Sequence, residues 1–375
     1  MHSDFEFQPP PLDVDAPTFA RPQWAHGKAL LLQKSLRPVR VISPCTGLNA
    51  PERASREMGM DWVSAGDYEL NEDLLCVLNI ISGHHGRLHV GRSRGDVIMV
   101  PLTDLDLSAD GLVSGPPCPP FSDCGRRLIE QDCRSSVFFC ILLWIIHLSH
   151  HGNLTWFVLE NVPGILKRKA GQEESFASWV VREMLADLPQ GWDIQVQECS
   201  SAEFLLPQHR KRVFFRGTAP CLRMTPFQKR VLSLGPQPWP RVSILHFLDH
   251  EKSDTDWTNL SLRQQVNTLR QLSDFRDSIV GVAGCASLVG IVDIARDPSR
   301  SFDSSPCIDG FRTLRTNCST LWILPSLELV PVFGERGRFV NRAEKCRAAG
   351  LVPSSVACLT EQQVCTAVGK PFQFP

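Results

Sequence analysis

Asp110-Gly-Leu-Val-Ser-Gly-Pro-Pro-Cys-Pro-Pro-Phe-Ser122 sets a single cysteine, Cys118, in a proline loop directly after a short apolar run. In an α/β protein the residues that follow a strand lie at the carboxyl edge of the sheet, where reactive groups are presented. Prolines on both sides fix φ and remove N–H donors, so the thiol stands on a stiff platform. A thiolate is a strong nucleophile once its proton is gone, although a cysteine beside a proline is more often structural. Two later stretches keep it company. Trp156-Phe-Val-Leu-Glu-Asn-Val-Pro163 is an apolar run closing on a carboxylate. Gln208-His-Arg-Lys-Arg-Val-Phe-Phe215 carries alternate arginines into another strand, where residues two apart share a side.

Outward from this loop, strands alternate with helices. Val39–Ser43 is a first strand, and Pro51 suits the first turn of a helix reaching Met58. Asp61–Ala65 follows as a strand, 70–81 as a helix, Asp96–Val100 as a strand or strand end, and Leu112–Ser114 as the strand feeding Cys118. The apolar run Val137–Leu148 predicts a buried helix, since it falls short of the ~20 residues that span a bilayer. Then come a strand at Trp156–Leu159, a helix near 173–187 and strands near 193–198 and 212–216. The rhythm predicts an α/β fold, a Rossmann-like doubly wound and mostly parallel sheet.

The expected organisation is a loose extension over 1–36 and a catalytic domain over 37–218. A linker and small variable recognition lobe follow over 219–325, and a C-terminal segment over 326–375 packs back on the catalytic domain. Within the lobe, Leu260–Phe275 predicts an amphipathic helix with Leu262, Val266, Leu269 and Leu272 on its apolar face.

The 375 residues are 43% hydrophobic and 21% charged, as in an ordinary globular protein. A formal net charge of −1 provides no global footprint for a polyanion, so nucleic acid would need a local basic cleft. Fourteen cysteines without a Cys-x-x-Cys pair argue against a zinc ribbon, and no metal is expected. His147, His150 and His151 are expected to be cap or surface residues. No basic-then-apolar leader is visible, so reduced thiols in nucleus or cytoplasm are expected, with the nucleus favoured in a eukaryote.

Cys118, the Glu160-Asn161-Val162 triplet and the Gln208-x-Arg210-x-Arg212 spacing, in this order, resemble the cytosine-5 DNA methyltransferase family. The resemblance runs from about Val39 to Phe215 and returns faintly near the C-terminus. It implies S-adenosyl-methionine as methyl donor and DNA as substrate, with a base flipped out of its stack, on a monomeric protein away from membranes. The chemistry needs these residue types together. Carbon 5 of cytosine is too poor a nucleophile alone, and a thiolate adding at carbon 6 converts the ring to an enamine. Cys118 suits that addition, and Glu160 in a dry pocket suits a proton or hydrogen bond at ring nitrogen 3. Of Arg210 and Arg212, the resemblance places the second on the base carbonyl, and the pair is expected to lower the thiol pKa.

For the donor, the resemblance implies contacts from Cys45, Gly47, Asp67, Asp96, Pro117 and Gly369. Cys45 takes the Phe position of the family's Phe-x-Gly-x-Gly-Gly turn and Gly47 the first glycine. Asn49 and Ala50 replace the other two. Asp67, beyond the second strand, is expected at the ribose, Asp96 at the adenine amino group, and Gly59 at a helix end. Arg338–Pro353 resembles a late structural motif, and Gln362–Lys370 the last one, with Lys370 where the family has Asn. The family's final helix would begin near Pro375, so looser donor binding is expected without it. The alternatives are the tRNA-directed branch, which usually has Thr where Ser122 stands, and a catalytically impaired nucleic-acid-binding relative. An exocyclic-amine methyltransferase is disfavoured, because it needs an aromatic after Pro-Pro.

Overall fold

The strands around the first turn are buried almost throughout, as expected where helices cover both faces of a parallel sheet. The structure, a computed structural model, describes residues 38–57, 60–74, 78, 88–90, 95–121, 134–168, 171–204, 206–222, 243–251, 254–280, 288–295, 306–308, 310–312, 314, 320–351 and 353–369. The extension 1–36, Gly59, Ser122, most of the proline-rich linker and Lys370 lie outside the described residues.

In chain order the strands are β1 (Val39–Pro44), β2 (Trp62–Glu69), β3 (Leu88–Val90), β4 (Gly111–Ser114), β5 (Trp156–Asn161), β6 (Asp193–Ser200), β7 (Gln208–His209) and β8 (Lys211–Thr218). They continue with β9 (Val289–Asp293), β10 (Cys307–Ile308), β11 (Phe311–Arg312), β12 (Leu321–Pro325) and β13 (Arg338–Phe339). The α-helices are α1 (Ala50–Glu57), α2 (Ser135–His151), α3 (Phe176–Asp187), α4 (Asp254–Thr258), α5 (Leu262–Ile279), α6 (Val330–Phe333), α7 (Arg342–Ala348) and α8 (Glu361–Gly369).

The large sheet has the order β3-β2-β1-β4-β5-β8-β6. β1 to β5 run parallel, whereas β8 is antiparallel to both β5 and β6. Strand order reverses between β1 and β4, which makes their carboxyl ends the switch point where α/β sheets bind ligands. Beneath the sheet, Phe138, Ile141, Trp144, Ile145 and Leu148 of α2 pack in one core with Phe157, Leu159 and Phe215. Each such side chain contributes roughly 1.5–3 kcal/mol. A second core joins Leu48, Leu74 and Leu78 of the first βα units to Ile244, Phe333, Cys346, Leu351, Val364 and Val368. The antiparallel sheet β10-β9-β12-β13 packs against α5 through Phe275, Leu272, Trp322 and Leu324.

The structure corrects four expectations. The second strand runs on to Glu69, so Asp67 lies inside it, paired with Ser43, rather than beyond it. Of the helix expected over 70–81, the described part holds a 3-10 turn at Glu72–Leu74 and a helical Leu78, with 75–77 and 79–81 outside. Asp96–Val100 is a 3-10 turn, Val97–Met99, because the Asp96 carboxylate accepts from Ile98 N at 3.2 Å and caps it. In α5 the buried face is Thr268, Gln271, Leu272, Phe275 and Ile279, whereas Leu262, Val266 and Leu269 are exposed. At the end of α2, His150 Nε2 lies 2.8 Å from Asp187 O, and no metal-binding group of His, Cys, Asp or Glu occurs among the described residues. No helix of the described residues is long and apolar enough to cross a membrane.

Gly217, in β8, shows how tightly the centre of the sheet is packed. A Cβ there would sit 1.9 Å from the Phe157 ring, which is itself stacked on Trp192 at 5.9 Å. Gly217→Ala is expected to lower unfolding free energy by about 1–3 kcal/mol, the range for overpacking a filled core. Urea unfolding measures this, and an unchanged midpoint would show that the ring can move aside.

Candidate active site

Sheet topology, more than local sequence, assembles the site. β5 ends with Glu160 and Asn161 at the carboxyl edge. Because β8 is antiparallel to β5, with Asn161 opposite Val213, the start of β8 arrives at the edge where β5 ends. Arg212 therefore meets Glu160, its Nε 2.6 Å from Glu160 Oε1, with both side chains largely out of water. Arg210 sits in the break between β7 and β8, fully buried, its Nη1 3.5 Å from Leu314 O. Burial and repulsion from Arg212 push Arg210 down to about 9, so it stays cationic at neutral pH.

Cys118 lies in the loop after β4, the strand next to β5, and its thiol is half-buried. Glu160, Arg210 and Arg212 all lie close enough to act on it electrostatically. Burial raises the thiol pKa, the arginines lower it and Glu160 raises it, with a net rise. The expectation that the arginine pair would lower the thiol pKa is thus overturned. Removing the charged form from water outweighs two cations, one of which is already committed to a carboxylate.

Two buried amides stand beside these groups. Neither side-chain atom of Gln208 makes a hydrogen bond among the described residues, and neither does Asn161 Nδ2, while Asn161 Oδ1 accepts from Val162 N at 2.8 Å. Buried polar groups are nearly always satisfied, so such capacity marks a place kept for a ligand or water. Gln208 opens the Gln208-x-Arg210-x-Arg212 motif, and the spacing alone assigns it no role in the site.

On the other side of the switch point, the turn after β1 places Cys45, Gly47 and Asn49 at φ of 57°, 60° and 50°. Left-handed backbone is routine for glycine and tolerated by asparagine, which explains how Asn49 can stand where the family has glycine. The turn is stapled to the end of β2. Thr46 N donates to Tyr68 O at 3.0 Å, and Tyr68 N donates to Thr46 Oγ1 at 3.1 Å. Glu69 accepts from Gly47 N at 2.9 Å and from Asn71 N at 2.8 Å. Ser114 Oγ donates to Pro44 O at 2.6 Å, tying the β4 loop to the same turn.

Asp67 is fully buried within β2, whereas Glu69, two residues on and on the same face, is the carboxylate that reaches the turn. Glu69 was hidden in the sequence because the strand was expected to end at Ala65. Asp96 and Pro117 are half-buried, and Gly369 is the last residue of α8. The structure thus gathers Cys118, Glu160, Arg210 and Arg212 into one cluster and places Cys45 and Gly47 in the neighbouring turn.

Comparison with known proteins bears on the family and the fold. The pattern of the C-5 cytosine-specific DNA methylase family matches residues 89–271. Orphan methyltransferase M.Rho11sI of Bacillus phage rho11s is 28% identical over 180 residues, covering 48% of this chain and 33% of that protein. Type II methyltransferase M.NgoPII of Neisseria gonorrhoeae is 23% identical over 181 residues, covering 48% of each. The chain therefore spans less than half the length of these curated relatives. The fold is similar to that of Schizosaccharomyces pombe Dnmt2 methyltransferase, with a TM-score of 0.54 and 16% identity over 89% of this chain and 94% of the other. The family match assigns residues 89–271, which carry the three motifs in order on a doubly wound sheet, to the C-5 cytosine-specific DNA methylase family.

Proposed function

We propose that this protein is an S-adenosyl-methionine-dependent DNA cytosine-5 methyltransferase that acts on a flipped cytosine through a covalent bond from Cys118. The observation that carries the reading is the buried Glu160–Arg212 pair acting, with Arg210, on a half-buried thiol at the switch point. Cys118 Sγ, its proton passed to solvent, bonds to carbon 6 as the 5,6 double bond opens, while Glu160, protonated as the base seats, donates to ring nitrogen 3. Electron density collects at carbon 5, which takes the methyl group as that group's bond to the donor sulfur breaks. Arg212 passes N–H donors from Glu160 to the base carbonyl oxygen. When the carbon-5 proton is later lost to a base, the carbon–sulfur bond breaks and the thiolate returns.

The raised thiol pKa fits a gated nucleophile. In the free protein, burial and the Glu160 carboxylate both disfavour the thiolate. A base that takes up the charge of Glu160 removes one of those two effects, so Cys118 becomes reactive when substrate is seated.

For the donor, the turn at Cys45–Asn49 and the carboxylate of Glu69 at its mouth offer what the group needs. There is a concave backbone at a βα turn and an acid for ribose hydroxyls. Asp96, which caps the 3-10 turn Val97–Met99, is the further acid suited to an amino group. The donor, when bound, supplies an electrophilic methyl group. The chain's own part is to hold it against the Cys118 loop, to which the Ser114–Pro44 hydrogen bond ties the turn.

Three measurements test this reading. The Cys118 peptide should alkylate with iodoacetamide at a rate that rises with pH beyond the ordinary thiol range. Glu160→Gln removes a carboxylate that raises the pKa and should shift the profile to lower pH, whereas Arg212→Leu should shift it higher; mass spectrometry reads both. Shifts in the opposite senses would remove the gating argument.

For donor affinity, calorimetry with S-adenosyl-homocysteine should show at least about tenfold weaker binding for Glu69→Gln, a loss in the range for a hydrogen bond to a charged group. Asp96→Asn should weaken binding less, because that carboxylate is half-buried and already caps a turn. Equal affinity of wild type and Glu69→Gln would move the ribose site elsewhere.

The covalent step is the sharpest test. DNA with 5-fluorocytosine at the target cannot lose its carbon-5 substituent, so the Cys118 adduct should persist and Cys118→Ser should abolish it. Glu160→Gln should slow adduct formation by roughly 10²–10⁴-fold, the range for a positioned acid–base group. Trapping of fluorinated tRNA but not DNA would reassign the substrate, and trapping of neither would remove the catalytic reading.

A further inference from the structure

The reversed face of α5 has a consequence for assembly. Leu262, Val266 and Leu269 are 77%, 57% and 47% exposed and, with exposed Ser273, fall on one stripe of the helix at spacings of four, three and four, and Val280, 78% exposed, follows as the residue that caps its C-terminus. Single exposed apolar residues are ordinary, but a continuous stripe marks a contact surface. The helix cannot roll to bury it. A Ser261–Gln264 capping box fixes its N-terminus. Phe275, Leu272 and Ile279 are locked in the core with Trp322 and Leu324, and Phe275 lies so close to Gly290 that a Cβ there would sit 2.9 Å from its ring. Arg276 donates to Pro325 O at 3.4 Å and Glu335 O at 3.0 Å, holding another side.

The charges beside the stripe choose its occupant. Arg263 and Arg270 in the first half of α5, and Asp274 and Asp277 in the second, are all exposed and share one flank at 100° per residue. Two cations and two anions cancel, which does not suit a polyanion such as DNA. Split between the two ends, they are complementary to themselves in reverse.

We infer that this stripe of α5 pairs antiparallel with the same stripe of a second copy of the chain, forming a twofold dimer. A pairing centred on the level of Gln271 sets Leu262 level with the second copy's Val280, and Leu269 level with its Ser273. A twofold axis normal to both helices keeps the charged flank on the same side in each copy. Arg263 of one copy then lies two residues, about 3 Å along the axis, from the level of Asp277 in the other. Arg270 stands in the same relation to Asp274. Apolar contacts lie at both ends of the pair and two reciprocal charge pairs line its flank, the arrangement that fixes orientation in paired helices. The recognition lobes of two copies would meet, leaving both sheet edges with Cys118 to act separately.

Sedimentation equilibrium of the full chain tests this directly. Wild type should reach twice the chain mass at concentrations above the micromolar range. Val266→Glu with Leu269→Glu should raise the dimer dissociation constant at least about tenfold, because each copy then carries two uncompensated carboxylates into the contact. Both positions are exposed, so circular dichroism and melting temperature should not change. A charge-reversed chain, Asp274→Arg with Asp277→Arg, should self-associate weakly and recover on mixing with Arg263→Asp plus Arg270→Asp. A wild type that stays monomeric, or a Val266→Glu/Leu269→Glu variant that stays dimeric, would overturn the proposal. So would variants that lose DNA affinity at unchanged mass, since the stripe would then belong to nucleic acid.

Discussion

The ion pair between Glu160 and Arg212 exists only because one strand of the sheet runs backwards. A parallel β8 would begin at the opposite edge, tens of ångströms from the carboxyl ends of β4 and β5. Antiparallel to both its neighbours, it delivers the Arg210–Arg212 segment to the place where Glu160 ends its strand and Cys118 leaves the preceding one. Once there, the two charges need each other. Breaking a largely buried pair leaves a charge uncompensated and costs about 3–5 kcal/mol. The pair therefore fixes the register of β5 against β8 and poises the site in one step.

Its second effect is on the thiol. Cys118 feels a cation it would favour and an anion it would not, and burial decides against the thiolate. That balance has practical sense in a reduced but oxidant-bearing environment, because a permanently ionised thiol would be open to oxidation and alkylation. On the proposed mechanism, a thiol whose charge balance changes when a base is seated is protected until then. The polar atoms left unsatisfied nearby, both ends of the Gln208 amide and Asn161 Nδ2, extend the same logic. Each such buried group costs about 1–3 kcal/mol, offset elsewhere in the core.

Much of this was legible in the chain. The order of the motifs, the strand–helix rhythm and the identity of the cluster follow from apolar runs that end in Pro, Glu or Arg. What was not legible has physical causes. The orientation of β8 is a property of chain connectivity, and its apolar run looks the same in either direction. β2 extends past Ala65 because, after a register shift at Ala65, Gly66, Asp67 and Tyr68 pair with Ile42, Ser43 and Pro44 of β1, a contact that local propensity for a turn cannot anticipate. Asp96–Val100 reads as a strand or strand end because Val97–Val100 is apolar, yet the Asp96 carboxylate caps a 3-10 turn. The thiol pKa was misjudged by counting charges without the water they displace.

The helix α5 is the more instructive failure. Its sequence holds two apolar stripes, one of Leu262, Val266 and Leu269, the other of Leu272, Phe275 and Ile279. Periodicity finds the first because it begins at the capping box and runs on to Leu272, but the core takes the second because Phe275 fits the space that Gly290 leaves open. Burying this face encloses Thr268, whose hydroxyl bonds back to Gln264 O at 2.8 Å, and Gln271, whose amide makes no hydrogen bond among the described residues. A helix that buries an unsatisfied amide while leaving three large aliphatic residues in water is not arranged for the stability of one chain alone. The cost is recovered if the outer stripe is also covered, and the reversed order of charge along its flank limits what can cover it.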